Sequence, residues 1–328
     1  MKTLTQTKLN LSGSKDTRNK GKKKYTLITD IFRNPFSYLL LLPAALYTFI
    51  YGYMSLPWIA IAFQKYSFRT GIFKSEWVGL KNFKFFFAST NALTVTWNTV
   101  YLNILFLITG TVAAVLIAIL MNEIKSKWFA KVTQSTLLFP HFISWVVVSY
   151  FVYLFFSMDE GFINLQVLKT LGIPAVNWYQ TPLAWPAILT FIKLWKGTGI
   201  GVIIYLATIS GFDSEVYEAS TIDGCNRWMQ IKCITIPMLA PIVTMMTLLS
   251  IGGIFKGDFG MMYTIIKDNG VLLPVTDVID TYVFRALRKV GDVSNATAVG
   301  LYQSIVGFAF VYGSNWIAKK YFSEGALF

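Results

Sequence analysis

Six long apolar runs, separated by polar stretches, follow a polar start. They cover residues 36–63, 96–121, 132–157, 182–209, 238–255 and 296–318. Crossing about 30 Å of hydrocarbon takes about 20 apolar residues, and the runs reach or approach that length. Lipid offers no partner to a free backbone N–H or C=O, so each run is predicted to be an α-helix. Pro43 and Pro57 fall inside the first run, and Pro140 breaks the backbone ladder early in the third. The pattern predicts an all-α integral membrane protein with six transmembrane helices.

The polar segments set the orientation. Residues 1–34 hold nine Lys and Arg, including Lys20, Lys22, Lys23 and Lys24, and read as a disordered tail. Residues 35–328 read as one membrane domain. No cleavable signal peptide is expected, because the first apolar run is full-length and starts late. Counted over alternate segments, 16 Lys and Arg lie on the side of the N-terminus and 11 on the other. That bias predicts both termini in the cytoplasm of a bacterial inner membrane.

Composition agrees. The chain is 55% hydrophobic and 14% charged, against about 25% charged in soluble domains. Its net charge of +13 reads as orientation signal and contact with anionic lipid, not as a nucleic-acid surface. Cys225 and Cys233 lie eight residues apart without a His cluster, which suits neither zinc nor a redox pair. His141, the only histidine, reads as a packing or hydrogen-bonding residue. No catalytic or metal-ligating set emerges.

One polar loop, 210–237, stands apart. Asp213, Glu215 and Glu218 suit the start of a short helix, with Asp213 or Ser214 as cap. Ala219 and Ser220 are small enough for another protein to approach closely. Asp223 and Gly224 follow, and Gly224 permits a tight turn. Trp228, Ile231, Ile234 and Thr235 then fall on one side of a second helix, which Pro237 is expected to interrupt at the membrane. The result would be a helix-turn-helix across the mouth of the spans.

The spacing of Glu218, Ala219, Gly224, Ile234 and Pro237 resembles the EAA loop of ABC importer permeases, with Ser220 and Ile236 in place of the usual Ala and Leu. Val78–Phe83, Trp97-Asn98-Thr99, Gly161–Asn164 and Tyr205-Leu206-Ala207 look like the carbohydrate branch, the maltose-transporter type. The likeness runs from about residue 34 onward. Over that length it is closest to permeases for acidic oligosaccharides of the alginate type.

The resemblance implies a type I importer permease with Glu218, Ala219, Ser220, Asp223 and Gly224 on an ATPase-coupling helix. It implies a second permease, two ATPase subunits and an extracytoplasmic solute-binding protein. ATP and Mg would sit on the ATPases, since this chain has no Walker-type phosphate loop. The protein would move a carbohydrate, itself performing no chemistry.

Within the fourth run, Lys193 and Lys196 share a helix face, with Trp195 between them pointing elsewhere. Lys193 lies roughly 15 Å below the outer end. A lysine there costs about 2.5–3.5 kcal/mol to insert, so it should meet water, an acid or a ligand. Either the pair lines a path and attracts carboxylates, or it snorkels or pairs with an acid of the partner permease. Trp195, Trp145, Tyr150 and Tyr153 complete the expected substrate path. Arg285, Arg288 and Lys289 are expected on the polar side of an outer helix whose other side carries Val278, Tyr282, Phe284 and Leu287. Two alternatives remain, a neutral-oligosaccharide permease and an ion-coupled secondary transporter. The second would need carboxylates deep in a span, and Asp258 lies only near an outer end.

Overall fold

The computed structural model describes residues 32–88 and 90–321. The expected disorder of the tail falls almost wholly outside them. Two compact units emerge, Met1–Pro57 and Trp58–Phe328.

In the first unit, helix α1 (Pro35–Thr48) begins on a proline and continues into a π-turn, Phe49–Tyr53. A proline at the first helical position gives up an N–H that would have no partner anyway. The helix is apolar on all sides, as a membrane span is.

Among its described residues the second unit consists of helices, turns and loops apart from one antiparallel pair, in which Gln64 faces Trp77 and Lys65 faces Glu76. Its helices are α2 (Lys81–Ala88), α3 (Thr90–Asn122), α4 (Lys127–Leu138), α5 (Trp145–Phe156), α6 (Trp185–Ser210), α7 (Ser214–Ile222), α8 (Arg227–Gln230), α9 (Ile236–Ile251), α10 (Phe259–Ile266), α11 (Leu273–Thr276), α12 (Ile279–Arg285) and α13 (Val293–Tyr321). Five stretches are long and apolar enough to cross a membrane: Pro35–Phe63, Asn91–Asn122, Pro182–Ser210, Arg227–Ile251 and Val293–Trp316.

The third expected span is not one helix. Lys127–Phe142 and Trp145–Phe156 meet at 98°. At 1.5 Å per residue, the 12 residues of α5 span only about 18 Å. The pair therefore makes a sixth crossing only jointly. Pro140 sits in the 3-10 turn Phe139–Phe142 at the break, and Ser144 restarts the ladder by accepting from the Val147 N–H.

Helices α3 and α6 form the centre. Ala114 and Ala118 of α3 bury against Val202, Tyr205 and Ile209 of α6, with Leu239 of α9 closing the cluster. Small residues let these backbones approach, since lipid supplies no hydrophobic drive to hold helices together. A Cβ on Gly199 would lie 2.2 Å from the Leu137 carbonyl oxygen, and one on Gly201 would lie 2.9 Å from Ala114 Cβ.

The end of the bundle where α3 and α6 begin is tied by side chains reaching backbone. Asn98 donates to the Pro274 carbonyl at 3.0 Å, and Thr99 Oγ1 accepts the Ile279 N–H at 2.9 Å. Asn164 donates to the carbonyls of Ser157, Met158 and Val176 and accepts from the Val176 N–H and Trp178 Nε1. Asn82 holds the Ala62 and Gln64 carbonyls. Loops without a regular ladder need such partners for their buried backbone groups.

The outer segment differs from its expected amphipathic helix. Phe284 packs on Phe259 and Tyr263, and Val278 is fully buried, but Leu287 is exposed. Arg285 is largely buried and paired with Asp277 and Asp268, while Lys289 reaches Asp268 at 3.0 Å. Arg285 is a strut between helices rather than a solvated charge.

Candidate functional site

Two places carry the expected chemistry, an elbow between two spans and a cavity among them.

In the elbow, Asp213 caps α7 by accepting the Glu215 N–H at 3.0 Å. Glu218, Ala219, Asp223 and Gly224 are exposed, and Ile222 and Trp228 flank the turn at 87% and 79% exposure. Gly224 has φ +82°, a conformation that costs other residues roughly 1–2 kcal/mol. It lets the chain reverse into α8, whose cap Asn226 accepts the Met229 N–H at 2.9 Å.

Three expectations need correction. Ser220 is buried, facing α8 rather than a partner. Its Oγ accepts from Gln230 Nε2 at 2.8 Å. Its small size serves closure of the elbow itself. Trp228 does not share the inward side of Ile231, Ile234 and Thr235, since it is exposed. Pro237 does not interrupt a helix. Arg227–Ile251 is one continuous span, and a π-turn, Ile231–Thr235, sits just before the proline. Such wide turns absorb a residue that cannot fit the regular ladder.

Gln230 was not singled out from sequence. It is 3% exposed, and its Nε2 donates to the Tyr217 carbonyl, Ser220 Oγ and Thr221 Oγ1 at 3.2, 2.8 and 2.9 Å. Tyr217 Oη also lies 3.0 Å from Thr235 Oγ1. The two elbow helices are thus clamped to each other and to the π-turn at the base of α9. A glutamine amid polar residues gives no sequence signal for this role. Cys225 and Cys233 are free thiols.

The cavity, about 580 Å³, lies among α3, α6 and α9, a size typical of ligand sites. Lys193, Lys196 and Trp145 line it, joined by Asn103, His141 and Asp258. Lys193 Nζ donates to Asp258 Oδ2 at 2.6 Å. The ammonium groups of Lys193 and Lys196 lie 5.7 and 5.1 Å from the Trp145 ring centroid, within cation–π range.

The two lysines differ in what they do. Lys196 is nearly buried and donates to the carbonyls of Pro140, His141 and Ile143 at 3.2, 2.8 and 2.6 Å. These carbonyls belong to the bend between α4 and α5, where the ladder is broken. Lys196 is therefore the cap of the bend. Lys193 pairs with an acid of its own chain, Asp258.

Three expected path residues do not line this cavity. Trp195 is 43% exposed. Tyr150 lines a separate pocket of about 280 Å³ with Lys267, whose ammonium lies 5.5 and 5.6 Å from the Tyr150 and Tyr153 rings. Conversely, Asp258 belongs to the cavity although it precedes α10 in the outer segment. That Asp258 is the first acid after the fifth apolar run was the available signal.

Comparison with known proteins agrees with this architecture. Residues 110–320 match the family "Binding-protein-dependent transport system inner membrane component". "Protein LplB" of Bacillus subtilis is 34% identical over 298 residues, covering 89% of this chain and 91% of that protein. The B. subtilis "Polygalacturonan/rhamnogalacturonan transport system permease protein YteP" is 32% identical over 306 residues, covering 93% and 94%. A chain from the crystal structure of a bacterial ABC transporter involved in import of the acidic polysaccharide alginate superposes with TM-score 0.83 at 28% identity, covering 90% of this chain and 99% of that one. The chain thus belongs to the family of inner-membrane components of binding-protein-dependent transport systems, as a permease subunit of the ABC importer type.

Proposed function

We propose that this permease forms half of the translocation path of an ATP-driven carbohydrate importer, and that its substrate is an acidic oligosaccharide. The cavity carries the reading. Its cation, Lys193, lies beside an aromatic face, Trp145, inside a membrane protein. A charge so placed is expensive unless function requires it. Carboxylate-bearing sugars match both groups. Support comes from YteP, named for polygalacturonan and rhamnogalacturonan transport. It comes also from the alginate transporter, solved with a periplasmic protein carrying an alginate pentasaccharide.

The mechanism is alternating access. Both termini face the cytoplasm, with α4 and α5 together making one crossing. The exposed surface of α7, with Glu218, Ala219 and Gly224, then docks on a partner ATPase. Closure of the ATPases around ATP and Mg pushes α7. The Gln230 clamp passes that push to α9, which lines the cavity together with α6. The second permease closes the other side of the path, and a solute-binding protein delivers the sugar from outside.

Reconstitution of the full importer in proteoliposomes tests this. Uptake of a labelled uronic-acid trisaccharide should require ATP and stop when the ATPase carries an inactive catalytic residue. Uptake that continues and follows an ion gradient refutes ATP coupling. Uptake of a neutral trisaccharide alone refutes the substrate assignment.

A further inference from the structure

We propose that Asp258 is an internal counter-ion which an incoming carboxylate displaces from Lys193, and that this exchange sets preference for acidic over neutral sugar. The inference rests on the acidic-sugar reading above.

Lys196 cannot serve the exchange. An ammonium has three donors, and all three carbonyls at the bend claim them. Lys193 has one acceptor among the described residues, Asp258 Oδ2, and its side chain keeps 36% exposure on the cavity. Two of its donors are open to a ligand.

Asp258 does not depend on Lys193 for its position. Its other oxygen, Oδ1, accepts the Met261 N–H at 3.1 Å and caps α10. The carboxylate therefore stays in place when the lysine leaves. Lys193 is an unbranched side chain standing over Trp145, so its ammonium can turn from Asp258 to a ligand without repacking α6.

The chemistry of the exchange is symmetric. A uronate offers Lys193 a carboxylate oxygen, as Asp258 does through Oδ2. A neutral hydroxyl carries no charge, so it can take only an ordinary hydrogen bond from an open donor and cannot draw the ammonium from Asp258 without losing the charge contact. Asp258 loses its cation in either exchange, but only a neutral ligand also leaves the Lys193 ammonium without an anion, so the larger penalty falls on neutral ligands. Discrimination by such a penalty needs no tight contact to the preferred substrate. Asp258 also repels the bound carboxylate, which favours release; a transport site must bind weakly enough to let go.

The test uses the complete importer in proteoliposomes with labelled uronic-acid and neutral trisaccharides. Asp258→Asn should lower the uronate concentration for half-maximal uptake about tenfold and reduce the maximal rate, because release slows. Lys193→Gln should remove the preference, bringing the uronate-to-neutral ratio close to one. The double variant should behave as Lys193→Gln does. If the pair only braces the helices, both single variants will move the two sugars together, and the proposal fails. Should Asp258→Asn not reach the membrane, Lys193→Gln decides alone: an unchanged ratio overturns the exchange. Wild-type protein that takes up only the neutral sugar instead overturns the acidic-sugar reading, and the exchange with it.

Discussion

The elbow and the cavity are built over different distances along the chain. Gln230 reaches partners 9 to 13 residues away, and Tyr217 meets Thr235 across 18. Lys196 caps carbonyls 53 to 56 residues away, and Lys193 meets Asp258 across 65. The elbow is a local device on the surface of the bundle. Damage there should stop transmission and leave the fold alone. The cavity is made by the packing itself, so damage there reaches folding as well as transport. Within the cavity, Lys193 and Lys196, one helical turn apart, differ too: one meets a single carboxylate, the other holds three backbone carbonyls of the bend.

The comparison breaks most visibly at Lys196. Lys196→Met removes the ammonium from three carbonyls of the bend; the Pro140 carbonyl keeps the Ile143 N–H, while those of His141 and Ile143, only partly buried, lose this donor, each costing up to about 1–3 kcal/mol. The expected outcome is a severalfold or greater loss of folded protein in the membrane, read by abundance and by thermal melting in detergent. Normal abundance would make Lys196 a path residue after all. Gly224→Val comes next. It forces a β-branched residue to φ +82° on an exposed turn, so sugar-stimulated ATPase activity should fall more than tenfold while membrane abundance holds within about twofold of wild type. A matched fall in abundance would show that the elbow is not a separable device.

Gln230→Leu is intermediate. It keeps the volume and removes the donor to three acceptors. The expected signature is ATP hydrolysis that persists with a severalfold lower yield of transported sugar per ATP. An unchanged yield would remove the clamp from the transmission path.

The smallest effect concerns the outer segment. Burial pushes the Asp280 carboxyl up from its ordinary range, against bonds from the Gly257 N–H and Gln303 Nε2 that pull it down. The folded protein then holds a proton that the unfolded chain has released. Asp280 therefore contributes most to stability at low pH, and that contribution is lost as pH rises through its raised pKa. Asp280→Asn should flatten this part of the melting profile below neutral pH. An unaltered slope would place the carboxylate in its ordinary range.

Legibility followed the same division. The spans were readable because lipid imposes one solution on a long apolar run: five of the six runs reappear as single long helical stretches with shifted edges, and the third as a bent pair. The turn at Gly224 and the cap at Asp213 were readable because each depends on its own few residues. The bend at 139–144 was only half legible. Pro140 marks a fault in the ladder, but a proline does not specify 98° or name Lys196 as the donor that makes the bend affordable. Trp195, Tyr150 and Tyr153 were assigned to the path by residue type, and helix rotation leaves them outside the cavity that Lys193 lines. Ser220 was assigned outward by its size and turned inward because Gln230 needs an acceptor.

The sequence by itself determined that the chain is a bundle of membrane helices with an exposed elbow, since hydropathy, glycine and capping residues act within one or two turns. Only the tertiary structure decided which lysine keeps donors open, that Asp258 faces it, and which helices line the cavity. Those outcomes depend on the rotation and depth of α3, α6 and α9 against one another, and close packing of small residues, not any local preference, sets that geometry.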